Sequence, residues 1–147
     1  MSQPDSSRSQ DRPQFRNIDF ANLRTLRWPL ASLASGMHRV SGAFLFLMMP
    51  FIIWMFDTSI SSEISYAKLT ATFHQGMWGA PGFLWKLLAL GIIWASLHHL
   101  IAGMRHLWMD THHAAVTKEF GRRSAAAVLI ATLGLTVVLG AKLFGLY

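Results

Sequence analysis

Two stretches of the sequence carry polar and ionisable side chains into long apolar runs. The first covers residues 27–42 and reads RWPLASLASGMHRVSG, and the members of its helically spaced series are Ser35, His38, Arg39 and Gly42. The second covers residues 96–110 and reads SLHHLIAGMRHLWMD, and its corresponding series is Ser96, His99, Gly103 and His106. On α-helices, each series lies along one face. Ionisable groups at membrane depth are costly and mark functional sites. We therefore expect the two helix faces to meet and to enclose a functional site.

His99 is the candidate axial ligand of a haem iron. A neutral imidazole binds iron well, and an apolar helix gives the dry wall that a macrocycle needs. Gly103, one turn further on, would leave room for the porphyrin edge. The alternative is a histidine that is hydrogen-bonded between helices, but the ionisable residues on matching faces favour the ligand. His98 is the rival ligand, and it points about 100° away around the helix.

The first stretch offers partners for a propionate and a quinone. One helix cannot supply both axial ligands, so the second comes from His38 or from another polypeptide. His38 lies near the helix start, and we expect it to reach a propionate, with which Arg39 could also pair. Arg39 could instead extend to the lipid headgroups. Ser35 either donates to a quinone carbonyl or bonds back to the carbonyl of Ala31 or Ser32.

The composition is that of a membrane protein. Of the 147 residues, 52% are hydrophobic and 14% are charged, against about 25% charged in ordinary globular chains. The absence of Cys excludes disulfides, iron–sulfur ligation and thiolate zinc sites within this chain. The net charge of +6 does not indicate nucleic-acid binding, because the cations lie beside apolar segments. No hydrolytic triad or phosphate-binding loop is present.

The sequence predicts an all-α integral membrane protein with three transmembrane helices. A polar and interfacial segment (1–31) precedes an anchor domain (32–147), whose spans are expected at about 32–56, 83–109 and 122–146. Residues 57–81 read as a polar loop, with His74 in it. Lys and Arg concentrate before the first span and around the second connection, which predicts a cytoplasmic N-terminus and places both polar faces in the cytoplasmic half of the membrane.

The two motifs, with GRRSA at residues 121–125, resemble those of the larger-type cytochrome b membrane anchor of succinate dehydrogenase, a succinate:quinone oxidoreductase. The resemblance covers roughly residues 17–130. It implies a multi-pass, non-flavin subunit in the bacterial inner membrane, with no dicarboxylate chemistry of its own. It also implies three protein partners: a second membrane anchor subunit, an iron–sulfur subunit and a flavoprotein subunit.

The resemblance further implies one haem b held between the two anchors, with one histidine from each. By the motif, the ligand in this chain is His99. Ser35 and Arg39 match the serine and arginine of the ubiquinone site, while His38, Arg39 and His106 match positions near the haem propionates. Two other functions stay open at this point: a structural anchor without haem, and a haem b subunit of another quinone-linked reductase.

Overall fold

The computed structural model describes residues 28–113 and 116–147, and these form four α-helices without any extended strand. The helices are α1 (Leu30–Ile60), α2 (Glu63–Gln75), α3 (Gly82–Thr111) and α4 (Lys118–Leu143). The predicted all-α class is therefore confirmed. The polar segment expected before the first span lies, up to residue 27, outside the described residues.

Three of the helices are long and apolar enough to cross a membrane. α1, α3 and α4 contain 31, 30 and 26 residues, which corresponds to about 39–47 Å at 1.5 Å per residue. Helix α1 continues through Pro50, whose ring removes one backbone donor from the helix. The number of membrane helices predicted from the apolar runs is confirmed.

Helix α3 packs against both α1 and α4 and lies at the centre of the bundle. The residues at the contacts are small and at most 1% exposed: Ala34, Ala95, Ala102 and Ala125. Small side chains let membrane helices approach closely, so that dispersion contacts and interhelical hydrogen bonds can form. The close approach brings the polar faces of α1 and α3 into contact.

The stretch from 57 to 81 is not simply a polar loop, because it contains α2. Ser62 caps this helix: its hydroxyl accepts from the Ser65 backbone N–H at 3.1 Å, and the Ser65 hydroxyl accepts from the Ser62 N–H at 3.0 Å. Such a reciprocal cap satisfies two free donors at a helix start. His74 is consequently in the last turn of α2 rather than in a loop.

Aromatic rings close the end of the bundle at which α2 meets α3. Trp85 of α3 lies 5.7 Å from Phe51 of α1 and 5.9 Å from Trp78 of the α2–α3 turn, measured between ring centroids. Trp78 also lies 6.2 Å from Trp54. These contacts join α1 to α3 at the end opposite to the start of α1.

Candidate functional site

Three imidazoles from α1 and α3 form the centre of the site. The rings of His38 and His99 are stacked, with centroids 4.3 Å apart and an interplanar angle of 9°. His106 lies about two turns after His99 on α3, and its ring centroid is 5.1 Å from that of His38, with an interplanar angle of 46°. The two polar faces therefore meet, as the spacing predicts. Within the described ranges, no group of three or more His, Asp or Glu side chains is arranged to hold a bare metal ion.

The contacts of His99 leave one ring nitrogen available. Its Nδ1 lies 3.1 Å from the backbone carbonyl oxygen of His38 and 3.5 Å from the hydroxyl of Ser41. A carbonyl oxygen can only accept a hydrogen bond, so Nδ1 must carry the proton. The lone pair of neutral His99 is then on Nε2, the nitrogen that would face a ligand.

The neighbouring His98 has the opposite arrangement. It is 0% exposed, and its Nε2 lies 3.3 Å from the carbonyl oxygen of Ala34 on α1. Nε2 therefore carries the proton, and Nδ1 accepts from the hydroxyl of Thr132 on α4 at 3.4 Å. Both nitrogens are engaged, so His98 links all three membrane helices and has no free lone pair.

A cavity of about 460 Å³ opens between the start of α1 and the end of α3. The residues that matter for its chemistry are Ser35, Gly36, Arg39, Arg105, His106 and Met109. The cavity thus combines hydroxyl, guanidinium and imidazole groups beside an apolar wall. Across residues 28–113 and 116–147, the Ser35 hydroxyl has no hydrogen bond, and the back-bond to Ala31 or Ser32 is not formed. Its proton is free to be donated to a ligand in the cavity.

Comparisons with known proteins agree with this architecture. The family model described as the succinate dehydrogenase/fumarate reductase transmembrane subunit matches residues 15–139. The chain belongs to this family. It is a multi-pass membrane protein, as the family description and the three long apolar helices together require.

Two relatives carry the same name, "succinate dehydrogenase cytochrome b556 subunit". The protein from Paracoccus denitrificans is 28% identical over 120 residues, which covers 79% of this chain and 87% of the relative. The protein from Coxiella burnetii is 36% identical over 114 residues, covering 76% of this chain and 83% of the relative. The similarity therefore extends over most of each chain.

Arg105 shares the His98 face of α3, and the sequence patterns assigned it no role. It borders the cavity, and its Nε donates to the Ser124 hydroxyl at 2.8 Å while Nη2 donates to the Gly121 carbonyl at 3.2 Å. The side chain thereby fixes the end of α3 to the start of α4. The available signal was its position seven residues after His98, which places both side chains on the face of α3 that meets α4.

The remaining residues considered in the sequence lie beside His38 or on the surface. The space beside Gly103 is filled by His38, whose Nε2 lies 3.3 Å from where a Cβ would be, so the glycine makes room for an imidazole. Asp110 and His113 are exposed. His112 is also exposed and stacks on Trp108, with ring centroids 4.6 Å apart.

Proposed function

We propose that the chain is the cytochrome b membrane anchor subunit of a bacterial succinate dehydrogenase. In this proposal it binds one haem b through His99, shares the haem with a second anchor subunit and contributes Ser35 and Arg39 to a ubiquinone site. The observation that carries the proposal is the difference between the adjacent histidines: His98 uses both ring nitrogens within the bundle, whereas Nε2 of His99 keeps its lone pair. Family membership and the relatives named cytochrome b556 support it.

The side chains around His99 suit a haem. His99 would hold the haem iron through a neutral imidazole nitrogen, and a hydrogen bond from the other ring nitrogen to a carbonyl is the usual support for such a ligand. His38 lies beside His99, and His106 lies beside His38. Arg39 provides a fixed positive charge for a propionate. When bound, the haem would supply a one-electron carrier within the apolar part of the bundle.

The cavity suits a quinone headgroup. The Ser35 hydroxyl is positioned to donate to a quinone carbonyl oxygen, and the Arg39 guanidinium would stabilise the negative charge that develops there on reduction. Reduction to quinol takes two electrons and two protons. In the proposal, the electrons come from succinate through the flavoprotein and iron–sulfur subunits, and the protons come from water at the open side of the cavity.

The orientation follows from the charge distribution. A cytoplasmic N-terminus puts the start of α1 and the end of α3 at the cytoplasmic side of the inner membrane. The cavity would then face the two hydrophilic subunits, which is the side from which electrons must arrive.

The test is the purification of the complex through a tag on this chain, with wild type, His99→Ala and His98→Ala compared. The wild-type complex should contain flavoprotein and iron–sulfur subunits and show a b-type α-band in the reduced-minus-oxidised spectrum. His99→Ala should lose that band while the complex still contains its flavin. His98→Ala should keep haem but lower the thermal stability of the complex.

The opposite outcomes have definite meanings. An intact spectrum in His99→Ala with a lost band in His98→Ala would show that the ligand is His98. If the wild-type complex contains the partner subunits but no haem, the chain is a structural anchor without a haem. Haem without those partners would indicate another quinone-linked reductase.

A further inference from the structure

The turn of α1 from His38 to Gly42 contacts the ring of His99 at three points. The His38 carbonyl and the Ser41 hydroxyl face Nδ1, at 3.1 Å and 3.5 Å. Gly42 lies under the ring: a Cβ added to it would be 2.8 Å from Cε1 and 3.1 Å from Nδ1 of His99. Real side chains do not approach that closely, so the ring can take this position only because residue 42 is glycine.

We propose that Ser41 and Gly42 are positioning residues that fix the ring orientation and the donor strength of His99. The inference rests on the proposed function, since it concerns the histidine that would hold the haem. Neither residue would touch the iron or the quinone. They act through His99, because an axial ligand's orientation and its second hydrogen bond tune the metal that it binds.

Gly42 controls where the ring lies. Its missing side chain lets the His99 imidazole lie directly against the α1 backbone, within reach of the His38 carbonyl. A methyl group at this position would push the ring away from α1, which would lengthen the Nδ1 hydrogen bond and rotate Nε2. The change would not harm the helix itself, since alanine is a better helix former than glycine.

Ser41 controls how strongly the His38 carbonyl accepts. The serine is fully buried, and its hydroxyl donates to the His38 carbonyl at 2.9 Å. The carbonyl is therefore shared between the Ser41 hydroxyl and the Nδ1–H of His99. Removing the hydroxyl would take away the longer 3.5 Å contact with Nδ1 but would end the competition for the His38 carbonyl, which is the closer acceptor at 3.1 Å. The shorter hydrogen bond dominates, so its strengthening would make the imidazole more basic. A more basic ligand favours ferric over ferrous iron.

The experiment compares Gly42→Ala with Gly134→Ala in the purified complex. Gly134 is the matched control, because it is a glycine inside membrane helix α4 and a Cβ there would meet nothing within 4 Å. We expect Gly42→Ala to lower the haem-to-flavin ratio at least two-fold and to shift the electron paramagnetic resonance g values of the remaining ferric haem. Gly134→Ala should match the wild type in both. Unchanged ratio and g values in Gly42→Ala would overturn the role of Gly42.

Ser41→Ala gives an independent test that adds no volume, and it decides the proposal if Gly42→Ala does not assemble. The reduction potential of the haem, measured by redox titration of its α-band, should fall. A potential that is unchanged or raised would overturn the role of Ser41.

His99→Ala separates this inference from the function on which it rests. If that variant keeps its haem, the ligand assignment fails and the inference fails with it. If His99→Ala loses haem while Gly42→Ala and Ser41→Ala behave as wild type, only the inference is wrong.

Discussion

His98 and His99 show how two adjacent side chains of the same type acquire different roles. Consecutive residues on a helix point about 100° apart, so the His98 imidazole lies between α1 and α4, whereas the His99 imidazole lies against α1. An unsatisfied buried polar group costs about 1–3 kcal/mol. His98 avoids this cost with two hydrogen bonds inside the bundle. His99 satisfies only Nδ1 in this way, and in the proposed function the remaining nitrogen, Nε2, binds the haem iron.

Replacing the single side chain of Arg39 tests its proposed role in the quinone reaction. Arg39→Leu should lower succinate–quinone reductase activity about ten- to hundred-fold, because a hydrogen bond to a charged group contributes about 1.5–3 kcal/mol and 1.4 kcal/mol corresponds to ten-fold. Succinate oxidation with an artificial dye, which needs no quinone, should stay near the wild-type rate. Both rates are measured on the same membranes.

Arg123→Leu is the control for the loss of a positive charge. Arg123 is exposed and pairs with Glu119 away from the cavity, so its replacement should change neither activity. Equal loss of dye-linked and quinone-linked rates in Arg39→Leu would contradict a local role in the quinone site.

The sequence placed the candidate residues on common helix faces but did not give the hydrogen bonds of their rings. Helical spacing alone placed Ser35 and Arg39 on one face, and the structure gathers them with His106 around one cavity. Spacing favoured His99 over His98 as the candidate ligand, but it did not give the hydrogen bonds of either ring. These bonds depend on which partner each ring meets, and those partners belong to α1 and α4, which are distant in sequence.

Polar contacts join helix α3 to its neighbours on both sides. His98 joins it to α1 and α4, and Arg105 joins its end to the start of α4. Small residues line the same contacts, so the helices are close enough for these bonds to form. The site residues of α1 and α3 keep their register because the bonds have defined partners.

Thr132→Val tests the contribution of the His98 contacts. Valine has nearly the same shape as threonine but cannot donate, so Nδ1 of His98 would be left unsatisfied in a buried position. The free energy of unfolding should fall by about 1–3 kcal/mol. The measurement is the thermal denaturation midpoint of the solubilised complex, together with its haem spectrum, which should not change.

Thr136→Val provides the matched comparison. The Thr136 hydroxyl bonds only to the Thr132 carbonyl of its own helix, and that carbonyl keeps its helical partner after the substitution. The midpoint should therefore change little. A Thr132→Val complex that loses haem at an unchanged midpoint would contradict the separation of roles between His98 and His99.

The elements differed in how well the sequence predicted them. The three membrane helices were predicted because a long uncharged apolar run has few alternatives in a bilayer. Helix α2 was missed because its 13 residues mix polar and apolar types, and its start depends on the Ser62–Ser65 cap rather than on an apolar pattern. Arg105 was missed because its partners lie on α4.

The three membrane helices differ in how much of their surface is buried within this chain. Only 6% of the most apolar part of α1 is buried, against 28% for α3 and 22% for α4. Large apolar side chains on α1 are exposed, among them Val40, Phe46 and Phe56. In the proposed complex, lipid and the second anchor would cover this surface.

The orientation of the molecule can be tested directly because the chain contains no Cys. A single cysteine at Ser61, between α1 and α2, should react with a membrane-impermeant thiol reagent added to intact spheroplasts. A single cysteine at His113, after α3, should react only in inside-out vesicles. The proposed topology requires this pattern, and the reverse pattern would place the cavity on the outer side.

The small packed share of α1 affects how the protein is assembled in the membrane. His38, Gly42 and the cavity all depend on α1, yet this helix has the smallest share of its span packed within its own chain. A copy of the chain without its partner subunits would expose the apolar face of α1 and an incomplete haem site to membrane proteases. In the proposed complex, haem insertion and the binding of the partner subunits would then act as one checkpoint in biogenesis. Cells short of haem would accumulate little of this polypeptide even while its message is translated.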